Sequence, residues 1–226
     1  MNQATISSGR QLASKWLKTG ALLSNPYLAR HIPPSRLFGP RNLRTMLSRY
    51  GTVVIKPVRG AGGMGVMKIS RSGSGYRCTY MARTHAFSTF SSLLRHVNRS
   101  RRGRAYLIQR GIRLASVSGR PVDYRVKYVK MNGVWRFRSM VGRVARRGLF
   151  VTNLCRGGMR LTAAQGIRRS LSPRLIAAKK REMRHLTRTA TPLLESRFPG
   201  IAQLGYDYGI DRNGHIWILE VNTRPQ

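Results

Sequence analysis

Apolar positions change their period several times along the chain, and each change marks an element. Leu12, Trp16, Leu22 and Leu23 gather near one face, which predicts a helix over residues 10–24. Pro26, Pro33, Pro34 and Pro40 break any long helix, so 25–40 reads as a loop or linker. Pro40 suits the first position of a second helix, on which Leu43, Met46, Leu47 and Tyr50 recur at helical spacing. "TVVIKP" is a β-branched strand, "VRGAGGMG" a glycine loop and "VMKIS" a second strand. "RSGSG" reads as a hairpin turn into "YRCTYMA", and "FSTFSSLLRHV" as a helix. "AYLIQRGI" has a buried-strand pattern. Residues 122–145 alternate around the hairpin signal Met131-Asn132-Gly133. Residues 173–196 predict a long basic helix, and "GYDYGIDRNGHIWILEVNTRPQ" a closing hairpin. Hairpins mixed with helices predict an α+β fold with largely antiparallel sheets.

The length of 226 residues suits one domain or two small lobes. The charge changes the picture more. Lys plus Arg number 43 against 6 Asp plus Glu, a formal net charge of +37. Such a field attracts polyanions such as nucleic acid or an anionic polymer surface, although a composition biased toward Arg would give the same number. The run "RRGR", 101–104, lies between a helix and a strand and is expected to contribute to surface adhesion, with a plain solvated loop as the alternative. Cys78 and Cys155 have no metal-ligand spacing; free thiols or one disulfide both remain open. The N-terminus lacks an apolar core of signal-peptide length, and no stretch is apolar enough for a transmembrane segment. A cytoplasmic, soluble protein is the expectation.

Three of the six acids, Asp207, Asp211 and Glu220, fall in the closing hairpin. A turn near Asn213-Gly214 pairs Asp207 with Glu220, so both face one way, and Asn222 shares that face by strand alternation. Two carboxylates and an amide oxygen form a hard-oxygen set suited to Mg²⁺. Neutralising nearby arginines is the alternative use. Asp211 lies in the turn and is expected to form it. In the second constellation Lys56 ends a strand before Gly60, Gly62, Gly63 and Gly65, whose backbone can turn N–H groups onto phosphate oxygens. No Gly-Lys-Ser/Thr follows, so it is not a P-loop, and a plain tight turn remains open. The third constellation holds Asp123 and Arg125 on one strand face, Arg143 on the partner strand, and Asn153 and Arg156 in a glycine-bounded loop. In a chain this rich in Arg, composition alone does not single these arginines out.

Together these pieces resemble the ATP-grasp superfamily: Lys56 before "RGAGGMGV", the "YLIQRGI" strand, and the Asp207…Glu220-Val221-Asn222 hairpin. "VDYRV" followed by "TNLCRGG" resembles the ribosomal-protein glutamate ligases. The run from "SKWLKTGALLSNPYLARHIPPSRLF" through "LRTMLSRYGTVVIKP" to "LEVNTRPQ" is similar to the YheC/YheD endospore coat-associated family. The resemblance implies two α+β lobes clasping ATP. Residues 1–50 would be an N-terminal helical segment and linker, 51–112 the lobe with Lys56 and the glycine loop, and 113–226 the lobe with the metal hairpin.

It further implies Lys15 and Lys56 on phosphates, the glycine loop folded over them, and Gln109, Arg110 and Ile112 at adenine, largely through backbone. Asp123 would lie near the ribose, with Arg125, Asn153 and the catalytic candidates Arg143 and Arg156 on the phosphate and substrate side. Asp207, Glu220 and Asn222 would hold Mg²⁺ or Mn²⁺. The implied chemistry is carboxylate–amine ligation through an acylphosphate, with carboxylate and amine substrates unspecified, in the cytoplasm or at the spore coat. Gly205 departs from the pattern, since several such ligases carry an Arg there; Arg143 or Arg156 would substitute. Related enzymes also continue past the position of Gln226, and little precedes Lys15. A nucleotide-binding coat component without turnover, and a basic nucleic-acid binder, are the alternatives.

Overall fold

The computed structural model describes residues 9–225. Two antiparallel sheets line one cleft. The first is built from β1 (Ser35–Leu37), β2 (Thr52–Pro57), β3 (Met67–Ser72), β4 (Gly75–Tyr80), β5 (Arg83–Phe87) and β6 (Tyr106–Arg110), in the order β1-β6-β2-β3-β4-β5. Its strands follow the period of two. Val53, Ile55, Met67, Ile69 and Ile108 are buried with Leu43, Met46, Leu47, Leu93 and Val97 of helices α3 (Pro40–Tyr50) and α4 (Phe90–Arg101). The alternate residues Val54, Lys56, Lys68, Ser70 and Gln109 line the cleft.

The second sheet has the order β10-β9-β8-β11-β12, from β8 (Arg120–Met131), β9 (Val134–Val144), β10 (Met159–Thr162), β11 (Gln203–Ile210) and β12 (Ile216–Thr223), with the short β7 (Ser116–Val117) added on β8. One face packs on α5 (Ala163–Ser170) and α6 (Ile176–Arg197), and the core continues to α1 (Lys15–Leu23) and α2 (Pro26–Ala29). Tyr124, Tyr206 and Tyr208 are fully buried in that core. Each hydroxyl finds a partner there: Ser170 at 3.2 Å, Thr191 at 2.9 Å and Thr187 at 2.8 Å. A buried phenol needs such a partner because an unpaired one costs about 1–3 kcal/mol.

The chain passes from β6 to the second sheet through Gly111–Leu114, which bridges to Asp211, and Ala115 donates to the Ile210 carbonyl at 2.8 Å.

Several elements differ from the sequence reading. The first helix starts at Lys15, not residue 10, because the Ser14 hydroxyl caps it by accepting from Leu17. Leu12 lies before it, outside any helix or strand, and its N–H donates to the Thr223 hydroxyl at 2.7 Å. The stretch read as a loop contains α2 and β1; Asn25 caps α2 and Pro26 occupies its first turn. β5, β10 and α5 carry no clear apolar period and were not foreseen. The run "RRGR" is not simply a solvated loop: the Arg101 guanidinium lies 4.1 Å from the Phe38 ring centroid and donates to Asn98 at 3.1 Å. Cys78 and Cys155 are free thiols, the first buried and the second exposed. No helix among the described residues is long and apolar enough to cross a membrane. The reading of residues 1–8 as free of a leader lies outside the described residues.

Candidate functional site

The cleft has a volume of about 1720 Å³ and takes side chains from both sheets. Strand register arranges the cleft face of the second sheet in three rows. The first row runs Arg160, Arg143, Asp123 and Gly209 across β10, β9, β8 and β11. The second runs Thr162, Val141, Arg125, Asp207 and Glu220, reaching β12. The third runs Ser139, Lys127, Gly205 and Asn222. Asp207 and Glu220 therefore pair as expected, with Asn222 two positions on.

The acids of the first two rows are held by bases. Arg143 grips Asp123 at 2.8 and 2.5 Å and reaches Asp207 at 3.0 Å. Arg125 grips Asp207 with its fork at 2.7 and 2.8 Å. Burial opposes ionisation of the Asp207 carboxyl, but Arg143 and Arg125 outweigh it and its pKa is lowered. Burial likewise opposes the Arg143 charge, and Asp207 and Asp123 outweigh it and raise that pKa. Asp211 does form the turn: Oδ1 accepts from the backbone of Asn213 and His215 at 3.0 Å each, and Oδ2 from the Trp217 indole at 2.8 Å.

A register shift between Asp207 and Tyr208 leaves Leu219 unpaired in β12. Its carbonyl accepts from Lys56 Nζ at 2.9 Å, so the end of β2 meets β12 across the cleft. Desolvation lowers the Lys56 pKa, with Glu220 opposing. Lys15 donates to the Gly60 carbonyl and lies 3.4 Å from Glu220. Lys18, not singled out in the sequence, is also in the cleft; burial lowers its pKa to about 8, and Nζ donates to the Leu12 carbonyl at 2.8 Å. Its spacing of three from Lys15 on a helix was the signal that could have found it.

The glycine loop closes on the second sheet's loop. Arg156 Nε donates to the Gly62 carbonyl at 3.0 Å. Gly63 has φ +71°, and a Cβ there would lie 2.6 Å from Asn153 Oδ1. Gly60 and Gly65 also have positive φ, and a Cβ on Gly65 would lie 2.5 Å from the Tyr106 hydroxyl. Gln109 is buried with its amide 3.2 Å from the Ser35 hydroxyl. Arg110 is exposed, over Trp217 and Tyr50 at 5.5 and 5.6 Å, and Ile112 lines the cleft.

The metal set can be tested on these contacts. No group of three His, Cys, Asp or Glu suited to a metal occurs among the described residues; the set is two carboxylates and an amide. Asp207 Oδ1 accepts from two guanidinium groups. Oδ2 accepts from Arg125, and among the described residues its other hydrogen-bond partner is the Asn222 amide at 3.4 Å. An Asn222 amide turned with its oxygen inward would add a third oxygen to those of Asp207 and of Glu220, its partner across the ladder. Two carboxylates and an amide oxygen are a donor set whose chemistry suits a divalent ion.

The family described as "YheC/D like ATP-grasp" matches residues 5–226. "Endospore coat-associated protein YheD" of Bacillus subtilis (strain 168) is 30% identical over 220 residues, covering 94% of this chain and 48% of that protein. "Endospore coat-associated protein YheC" of the same strain is 26% identical over 229 residues, covering 96% and 61%. The chain thus spans roughly half the length of these relatives. Among solved structures, D-alanyl-alanine synthetase A from Vibrio cholerae superposes with a TM-score of 0.56 at 14% identity, over 94% of this chain and 55% of that one. D-cycloserine synthetase DcsG gives 0.53 at 16% identity, over 95% and 63%. At such identities the structures establish the fold, which is ATP-grasp.

Proposed function

The chain belongs to the YheC/D-like ATP-grasp family, and on that premise we propose that it binds ATP with Mg²⁺ or Mn²⁺ and joins a carboxylate to an amine. One observation carries the reading. Lys56 of the first sheet meets the Leu219–Asn222 segment of the second beside the glycine loop, where Lys15 bridges Gly60 and Glu220. It supports the reading because cations and glycine backbone beside hard-oxygen groups are the set that a metal-bound triphosphate needs.

In this reading Lys15, Lys18 and Lys56 take the phosphates and Gly60, Gly62, Gly63 and Gly65 cover them. Gln109, Arg110 and Ile112 border the base, and Asp123 the ribose. Asp207, Glu220 and Asn222 would hold the divalent ion, which would supply charge neutralisation to the triphosphate. The γ-phosphoryl group passes to a carboxylate oxygen, giving an acylphosphate and ADP. An amine then attacks the acyl carbon, phosphate leaves, and the amine loses a proton. No protein nucleophile is needed; the residues position and stabilise charge. Arg125 and Arg143 orient Asp207. Arg156 and Asn153 hold the glycine loop, and Arg156 exchanges Gly62 for a phosphate oxygen. Release of ADP with a carboxylate and amine present separates this reading from a nucleotide-binding coat component without turnover.

Calorimetry with Glu220→Gln tests the metal set. The fold survives and Mg²⁺-dependent ATP affinity falls; the same affinity and its same Mg²⁺ dependence in the variant reject the assignment. Asp211→Asn keeps that affinity and loses about 1 kcal/mol of stability, since only the Trp217 bond to Oδ2 is exchanged.

Part of the charge lies on a different surface. Arg181, Arg184 and Arg188 lie along the exposed side of α6, which packs against the sheet face opposite the cleft rows. Adhesion to an anionic coat or polymer surface, or to nucleic acid, is expected to weaken steeply with salt, because exposed charges are screened over about 10 Å at 0.1 M. ATP affinity falls less. Replacing those three arginines by Gln lowers adhesion alone; parallel loss of both activities in a salt titration contradicts separate sites.

A further inference from the structure

The third row differs from the other two in its charge balance. The first two rows neutralise their acids with Arg125, Arg143 and Lys15. The third has a hydroxyl, a lysine, a glycine and an amide, and no acid. Lys127 lines the cleft, and its ammonium has no hydrogen-bond or ion-pair partner among the described residues. It follows Arg125 by two strand positions, about 7 Å along β8, on the same face. An uncompensated cation thus stands one row beyond Asp207 and Glu220.

Gly205 leaves the neighbouring place on β11 without a side chain. A Cβ on Gly205 would lie 2.5 Å from Pro225 Cβ, 3.1 Å from Pro225 Cγ and 3.7 Å from Arg125 Cδ. Pro225 already occupies the space over that position, so no side chain extends from it. Both arginines considered as substitutes are committed elsewhere: Arg143 bridges Asp123 and Asp207, and Arg156 is on the glycine loop, where the reading above gives it to a phosphate. Lys127 is the direct neighbour of Gly205 across the ladder, with Ser139 on its other side and Asn222 beyond the glycine.

We propose that Lys127, with the Ser139 hydroxyl beside it, binds the carboxylate of the substrate that receives the phosphoryl group. The inference rests on the nucleotide reading above. With the triphosphate over the second row, a carboxylate on Lys127 lies in the adjacent row, against the apolar ring of Pro225. The ammonium offers three donors and a charge, and Ser139 a further donor. The site favours small carboxylates with an apolar stem, because its floor is a proline ring and its polar groups lie to the sides.

The test uses the full chain loaded with Mg²⁺ and the non-hydrolysable analogue AMP-PNP. Carboxyl-¹³C acetate and propionate are the probes, and broadening of the carboxyl resonance is followed on titration. Wild type gives saturable, analogue-dependent binding. Lys127→Met weakens it about tenfold or more, the size of a lost charge-assisted bond. Lys127→Arg restores it, Ser139→Ala loses less, and AMP-PNP affinity is the same in all. Equal probe binding by Lys127→Met, or no saturable binding by wild type loaded with AMP-PNP, overturns the proposal. Failure of AMP-PNP itself to bind is read in a separate titration; it strikes the nucleotide reading and takes this proposal with it.

Discussion

Arg143→Met is expected to lower the stability of the protein by about 3–5 kcal/mol, because it takes the guanidinium partner from the buried Asp123 carboxylate and one of the two from Asp207. Asp123 and Asp207 are 4% and 7% exposed, and Arg143 bonds both. Arg125 still holds Asp207 in the variant, whereas Asp123 loses both bonds from its guanidinium partner. For a chain of this length the loss corresponds to a fall in Tm of roughly 6–20 °C. Thermal unfolding measures it. Adding Asp123→Asn to the variant recovers part of the loss, since the stranded charge is then gone. A single variant with the wild-type Tm would mean that the cluster is hydrated and that its charges are not coupled through burial.

Lys56→Met is expected to have opposite effects on stability and on binding. Burial lowers the Lys56 pKa, so the folded protein without nucleotide carries the charge at a cost. Methionine keeps the apolar stem and removes that cost, so the variant is at least as stable as wild type. Its ATP affinity falls roughly 10- to 150-fold, the equivalent of about 1.5–3 kcal/mol for a charge-assisted bond. Calorimetry and thermal unfolding on one preparation give both numbers, and unchanged affinity would reduce the glycine loop to a turn.

Lys18 supplies an accompanying pH signature. Its pKa is lowered to about 8, by burial first and then by Lys15, with Glu220 opposing. A phosphate nearby raises it. At pH 7 the group is already protonated and binding takes up little; at pH 9 it is mostly neutral and binding takes up a proton. Titrations in two buffers of different ionisation enthalpy detect the uptake, and Lys18→Met removes it.

The periods of two and of 3.6 were enough to place α3, α4, α6 and the central strands, since burial on one face leaves that imprint on any chain. The closing hairpin was legible to the pairing of Asp207 with Glu220, because a turn of known length determines which residues oppose one another. β5 was not legible: Arg83, Thr84, His85 and Ala86 are exposed at a sheet edge, so no face of it selects apolar residues. α1 began later than its apolar pattern, because Ser14 caps it and the Leu12 N–H is taken by Thr223, 211 residues away. Among the site residues, types and faces followed from alternation, but partners did not. That Arg143 joins Asp123 to Asp207, that a bulge turns the Leu219 carbonyl to Lys56, and that Pro225 fills the place beside Gly205 depend on strands brought together from distant parts of the chain. In a chain with 43 basic residues, composition cannot distinguish a paired cation from a solvated one. Only the packing of two sheets around a cleft decides which of them lose water and must find an acid, and that desolvation is set by tertiary contacts.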